Sequence, residues 1–79
     1  MSKQMVPVSQ RALLQRINRA LAKDEEMVKR LRGERWEHEM GRYFRVDLHR
    51  NFVLEKHVDL EATAKELGVI KPWEKMAED

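Results

Sequence analysis

The sequence of 79 residues contains no cysteine, which excludes disulfide bonds and metal sites built on thiolates. Its three histidines, His38, His49 and His57, lack the close spacing that is typical of a zinc site. We therefore predict that the chain holds no metal and no other cofactor. A single hydrophobic core in a domain of this size supplies only about 3–5 kcal/mol of net stability. Dimerisation is the remaining way to bury more surface.

Long hydrophobic runs are also missing from the sequence. No segment approaches the roughly 20 apolar residues that span a membrane. The first residues, MSKQMVPVSQ, lack the apolar run and the cleavage pattern of a signal peptide. We expect a cytoplasmic location and no membrane partner.

Sequence motifs that indicate catalysis are equally scarce. The chain has no Gly-rich phosphate loop, no H-E-x-x-H and no G-x-S-x-G. Arg45, Glu55 and His57 could form an acid–base set, but an ion pair across two strands already explains the first two. We predict that the protein is not an enzyme and has no small-molecule substrate.

Charged residues, by contrast, are abundant and unevenly distributed, at 38% of the chain. Residues 1–50 carry twelve Lys and Arg against seven Asp and Glu, whereas residues 51–79 carry four against seven. Such asymmetry indicates either a basic contact face or a dipolar molecule that pairs head to tail. The sequence leaves both interpretations open.

A helix is predicted from about Ser9 to about Lys23. Ser9 is a favourable N-cap, and Leu13, Ile17 and Leu21 recur at helical spacing as one buried stripe. The following residues are ambiguous, because pairs of opposite charge at i and i+4 favour helix while the apolar stripe stops. We predict a helix end near residue 24 and a short strand near residues 27–32.

A β-hairpin is predicted over residues 42–58, where apolar and polar residues alternate on both sides of His-Arg-Asn. The connection is predicted to be a three-residue loop, in which Asn51 takes the positive φ that such loops require.

The hairpin register follows from placing the apolar residues on one core face. This choice opposes Val46 to Leu54 on that face, and it opposes Arg45 to Glu55 on the polar face, where opposite charges attract. Tyr43 would then also lie on the polar face. The residues predicted on the core face are Phe44, Val46, Leu48, Phe52 and Leu54.

A second helix is predicted after Asp59, which is suited to be its N-cap. Gly68 is suited to end it in the left-handed conformation. The whole chain, residues 1–79, is then one α+β domain of order α-β-β-β-α. It has a three-stranded antiparallel sheet with both helices on one sheet face. Residues 1–8 are predicted to be a flexible N-terminus, and residues 71–79 a short C-terminal helix or tail.

Two nucleic-acid-binding folds resemble parts of this pattern. The stretch ATAKELGV resembles the end of the first helix of a helix-turn-helix motif, but the second helix would be the acidic segment 72–79, which phosphate repels. The element order resembles the double-stranded-RNA-binding domain, which grips phosphates with a basic cluster at the start of its second helix. This chain has Asp59 and Glu61 there, so only the topology is shared.

Several apolar and aromatic residues are left over once two helices and one sheet face fill a core of this size. Trp, Tyr and Met are enriched at protein interfaces. The alternative is that the C-terminal segment folds back under the sheet as a lid. We predict a homodimer or partner interface formed by Trp36, Tyr43, Val53, Ile70, Trp73 and Met76.

Our leading prediction is a small non-enzymatic interaction or regulatory protein that acts through protein–protein contacts. The alternative is a nucleic-acid-binding protein, because clustered cations on the first helix and the following segment suit phosphates. Interleaved acidic residues neutralise part of this charge. The basic candidates are Arg11, Arg16, Arg19, Lys23, Arg30 and Arg32.

The stretches GRYFRVD, HVDLEATAKELGV and KPWEKMAE resemble small proteobacterial proteins of no known activity, often carried on mobile elements. The resemblance implies a bacterial cytosolic origin and transfers no functional residues.

Overall fold

The computed structural model describes residues 5–31 and 41–77. They form a small α+β domain with two helices, a three-stranded antiparallel sheet and a separate pair of parallel strands. The predicted order of helix, three strands and helix is present, with one further strand at each end. The helices are α1 (Gln10–Leu21) and α2 (Leu60–Leu67), and the strands are β1 (Val6–Val8), β2 (Glu26–Arg30), β3 (Tyr43–Asp47), β4 (Phe52–Glu55) and β5 (Glu74–Met76).

The parallel pair corrects both predictions about the chain ends. Val6 lies opposite Glu74, and Val8 lies opposite Met76. Residues 6–8 are therefore a strand rather than part of a flexible N-terminus. Residues 74–76 form β5, where a short C-terminal helix or tail was predicted. Each strand has only three residues and gains its partner from the other end of the chain, so no local pattern could signal the pairing. The rest of those two predictions, residues 1–4 and 78–79, lies outside the described residues.

Helix α1 begins as its sequence predicts. The Ser9 hydroxyl accepts a hydrogen bond from the Ala12 N–H at 3.1 Å, and the predicted apolar stripe is almost wholly inaccessible. A 3₁₀ turn, Ala22–Asp24, follows the helix. Glu25 then takes the left-handed conformation, with φ 56°, and reverses the chain into β2. The ambiguous segment therefore starts as a turn and continues as a strand.

Helix α2 has both predicted caps. The Asp59 carboxylate accepts from the Ala62 N–H at 3.1 Å, and Gly68 has φ 70°. The Val69 N–H then donates to the Ala64 carbonyl at 2.9 Å, which is the bond expected after a left-handed helix end. The helix packs chiefly against α1 and also contacts β5.

The hydrophobic core lies where the two helices, β2 and the parallel pair meet. Leu13, Ile17, Leu21 and Val28 are its largest fully buried side chains. The three α1 residues form one stripe, and Val28 faces them from β2. The other buried core residues are Val8, Tyr43, Val58, Leu60, Ala64 and Ile70.

The β3–β4 hairpin differs from the predicted register by a bulge. Arg45 opposes Glu55 as predicted, but Val46 opposes Val53 instead of Leu54, because the register shifts between Arg45 and Val46. A bulge inserts an extra residue into one strand, a local feature that period-two alternation cannot reveal.

The predicted three-residue loop is longer by one residue, because β3 ends at Asp47 and β4 begins at Phe52. Asn51 has the predicted positive φ, at 57°. One oxygen of the Asp47 carboxylate accepts from the N–H groups of His49 and Arg50, both at 2.9 Å. The turn is therefore fixed at both ends by residues suited to it.

The prediction of which sheet face is buried was wrong. Tyr43 is only 7% exposed, and its hydroxyl donates to the Gln10 side-chain oxygen at 2.8 Å. Val28 and Arg45 oppose each other and share a face, and α1 packs against Val28. The face that carries Val28 is called the inner face below. Arg45 donates to Glu26 at 2.6 Å, so its ion pair is with β2 rather than with Glu55.

The residues that were predicted on the core face are accordingly accessible. Phe44 and Val46 are half-buried, while Leu48, Phe52 and Leu54 are 42–50% exposed. Apolar alternation marks one face of a strand, but it does not tell on which face a helix will pack.

Candidate interaction surface

The six residues of the predicted partner interface do not form one surface. Tyr43 and Ile70 belong to the core, which removes them from any contact with a partner, and Met76 is half-buried against the same core. Val53 and Trp73 are exposed, but they lie on different sheets, on β4 and just before β5. The sixth, Trp36, lies outside the described residues.

The six basic candidates likewise do not form one surface in the part of the chain that the structure describes. Arg16 is held by Glu74, with donor–acceptor distances of 2.9 and 3.2 Å. Arg11 and Arg19 are exposed on α1, but eight residues along a helix put them about 12 Å apart along its axis. Lys23 is also exposed one turn beyond Arg19, and Arg30 is exposed on β2. Arg32 lies outside the described residues.

The outer edge of β2 is occupied by a side chain of α1. The Val28 N–H donates to the Asn18 side-chain oxygen at 2.7 Å, and the Asn18 amide nitrogen donates to the Val28 carbonyl at 3.0 Å. Asn18 thus takes the place of a neighbouring strand at the middle of the edge and satisfies both backbone groups of Val28.

The two edges of the parallel pair are blocked in other ways. Val6 donates to the Trp73 carbonyl and Val8 accepts from Ala77, so Pro7 between them faces the outer edge of β1 and has no N–H to offer. On β5, the Met76 N–H donates to the Glu61 carboxylate at 2.8 Å. Neither edge is free for another strand.

Strand β4 is different from the other edges. Phe52, Val53 and Leu54 are 45%, 37% and 42% exposed, and Glu55 is exposed as well. Across residues 5–31 and 41–77, no side chain hydrogen-bonds to the β4 backbone. The edge therefore combines open backbone groups with three consecutive apolar side chains.

An apolar row runs across the sheet face that is turned away from α1, which we call the outer face. Met27, Val46 and Val53 are opposed to one another on β2, β3 and β4, so their side chains project on the same side. Met27 and Val53 are exposed and Val46 is half-buried. The row ends at the open β4 edge.

A cavity of about 500 Å³ lies beside this row and is lined in part by Met27 and Leu48. Glu25 and His49 also line it and approach each other to 3.4 Å as an exposed pair. The described residues contain no cluster of three or more His, Asp or Glu that could hold a metal ion. In the same two ranges, no helix is long and apolar enough to cross a membrane.

Sequence reasoning missed the residues that close the edges. Asn18 gave one usable signal, because Asn is a poor helix former in a helix interior, which indicates a tertiary role. Glu61 gave none, since an acidic residue in the first turn is already explained by the helix dipole.

Comparison of the chain with protein-family models, with curated proteins and with solved structures gives no match. The resemblance to small proteins of proteobacterial mobile elements therefore stays a prediction.

Proposed function

We propose that this chain is an interaction protein that acts without catalysis, as a symmetric homodimer formed through the edge of β4. One observation carries the proposal. Of the four outer strand edges that the structure describes, three are blocked by Asn18, Pro7 and Glu61. The fourth is open and apolar.

An open edge presents unpaired N–H and C=O groups that readily accept another strand. Strand addition satisfies these groups and buries the side chains beside them. Proteins usually protect such edges with charge, proline or a covering side chain. This chain uses two of these devices on its other edges, which supports a binding role for the edge left open.

A second copy is the occupant that fits β4 best. Two identical edges pair antiparallel about a two-fold axis, which gives a self-complementary contact. With Val53 on the axis, Val53 opposes its own copy, and Phe52 opposes Leu54 of the second copy. Asn51 then opposes Glu55 of the second copy, which brings that carboxylate next to the exposed Arg50. The same register places Arg50 opposite Lys56 of the second copy, so each end of the paired strands brings one acidic residue together with two basic ones.

The same arrangement extends the apolar row. The outer face would carry Met27, Val46 and Val53 of one copy, followed by the same three residues of the second copy in reverse order. A stable interface buries about 800 Å² on each partner, which is more than a four-residue strand supplies alone. We therefore expect a weak dimer, with a dissociation constant of about 1–100 µM.

Analytical ultracentrifugation over a concentration series of about 1–300 µM tests the proposal. The wild-type chain should shift from monomer to dimer. Val53→Glu should remain a monomer, because two carboxylates would face each other across the axis.

The matched control is Val6→Glu, which introduces the same charge at an exposed valine of β1 and should dimerise like the wild type. A wild-type monomer throughout the series would refute the homodimer. Loss of association in Val6→Glu as complete as in Val53→Glu would place the contact away from β4.

A further inference from the structure

A groove of about 410 Å³ lies between α1 and the chain that follows α2. Residues from α1 form one wall, and residues from the α2–β5 connection and β5 form the other. Three of the lining side chains are cationic and one is a carboxylate. The lining residues are Arg16, Arg19, Ala20, Val69, Lys71 and Glu74.

The single carboxylate is fully engaged inside the protein. One oxygen of Glu74 accepts from Arg16 at 2.9 Å and from the Lys71 backbone N–H at 2.8 Å, and the other accepts from Arg16 at 3.2 Å. Arg16 also donates to the Val69 carbonyl at 3.2 Å. The hydrogen bond from Arg16 is the main reason why the pKa of Glu74 is lowered, so the pair stays ionised and neutralises itself.

Two positive charges are left over in the groove. Arg19 and Lys71 are exposed, and neither has an ion-pair partner among the described residues. They come from different elements and lie on opposite walls. Because the Arg16–Glu74 pair ties the two walls together, the fold fixes the spacing of the backbone positions that carry these two cations.

We infer that this groove binds a phosphate group between Arg19 and Lys71. A guanidinium binds phosphate oxygens in a bidentate manner, and an ammonium adds a point charge. Several equivalent oxygens let one phosphate engage both walls at once. Lys23 lies one helical turn beyond Arg19 and is also exposed, so the cationic line continues along α1. The phosphate can therefore be a free ion or belong to single-stranded nucleic acid.

An amide-detected NMR titration tests this inference with the full chain at fixed ionic strength. One arm adds inorganic phosphate and the other adds a single-stranded DNA oligonucleotide. We expect resonances of Ala20, Val69 and Lys71 to shift, with a dissociation constant of about 1 mM for phosphate. The double substitution Arg19→Gln with Lys71→Gln should weaken binding about ten-fold or more.

The matched control is Arg11→Gln with Arg30→Gln, which removes the same charge from exposed positions outside the groove and should bind like the wild type. Similar affinity in both arms identifies free phosphate as sufficient. Binding of the oligonucleotide about ten-fold or more tighter, at the same residues, identifies nucleic acid as the source. The inference is overturned if neither ligand shifts the groove resonances, or if both double variants lose binding equally.

Discussion

The two edge strands of the three-stranded sheet, β2 and β4, differ in whether the rest of the chain covers them. On the β2 side, α1 covers the strand and Asn18 bonds to its backbone. On the β4 side, three apolar residues are exposed and the backbone meets no side chain of the described chain. Burial decreases across the inner face of the sheet from β2 to β4. Val28 is buried, Arg45 opposite it is half-buried, and Glu55 opposite Arg45 is exposed. Stability is therefore concentrated on the β2 side, and the β4 side is where we propose that a second copy binds.

The largest expected effect contrasts the two sides directly. Ile17→Ala should lower the free energy of unfolding by about 2–5 kcal/mol, because Ile17 is 0% exposed and its removal leaves a cavity. Phe52→Ala should cost less than about 1 kcal/mol, since Phe52 is 45% exposed. Urea unfolding of dilute protein measures both. Equal losses would mean that β4 is part of the core.

The next effect concerns two glycines with positive φ, one beside the hairpin and one at the end of α2. A Cβ at Gly41, with φ 75°, would lie 2.7 Å from the His57 Cα, whereas a Cβ at Gly68, with φ 70°, meets nothing within 4 Å. Gly68→Ala should therefore cost about 1–2 kcal/mol for the left-handed conformation alone. Gly41→Ala should cost more than about 2 kcal/mol. The same unfolding assay compares them, and the reverse order would contradict the close packing of Gly41.

The covered β2 edge can be opened by Asn18→Ala. This change leaves the N–H and C=O of Val28 without their partner and should cost about 1–3 kcal/mol. The control is Gln15→Ala, at an exposed position of the same helix, which should be close to neutral. Asn18→Ala should also associate beyond a dimer in sedimentation, since it offers a second open edge. An unchanged oligomeric state would show that Asn18 supports the fold without protecting the edge.

Local signals in the sequence predicted α1, α2 and their caps correctly. Ser9, Asp59 and Gly68 each act through groups within four residues, so their roles follow from local chemistry. Asn51 belongs with them, because its positive φ is required by the turn itself.

Tertiary contacts decided what the sequence could not predict. The inner face of the sheet is set by α1 packing on Val28, and period two alone marks both faces of β3 as possible cores. The Arg16–Glu74 contact joins residues 58 positions apart, and the parallel pair joins the two ends of the chain. Tertiary packing also buries Tyr43 and Ile70, and only Val53 of the predicted interface lies on the β4 edge.

The smallest expected effect depends on pH and concerns the contact between Arg16 of α1 and Glu74 of β5. The pKa of Glu74 is lowered below its ordinary value of 4.5, mainly by the hydrogen bond from Arg16. A lowered pKa in the folded state gives stability that is present above the ordinary value and is lost as the pH falls through the lowered one. Glu74→Gln should therefore lower the thermal unfolding midpoint at pH 7, and the difference from wild type should shrink at about pH 3.

The control for this prediction is Glu66→Gln, at an exposed position of α2, which should change the midpoint little at pH 7. A difference between Glu74→Gln and wild type that is the same at both pH values would contradict an ionic role for the contact.

Hydrogen–deuterium exchange at two protein concentrations tests most directly whether β4 is the binding edge. Samples well below and well above the dissociation constant are compared, and peptides covering β4, β2 and β1 are followed by mass spectrometry. We expect slower exchange in Phe52–Glu55 at high concentration, with β1 and β2 unchanged. Slower exchange around Trp73 and Val6 instead, or no dependence on concentration in β4, would contradict it.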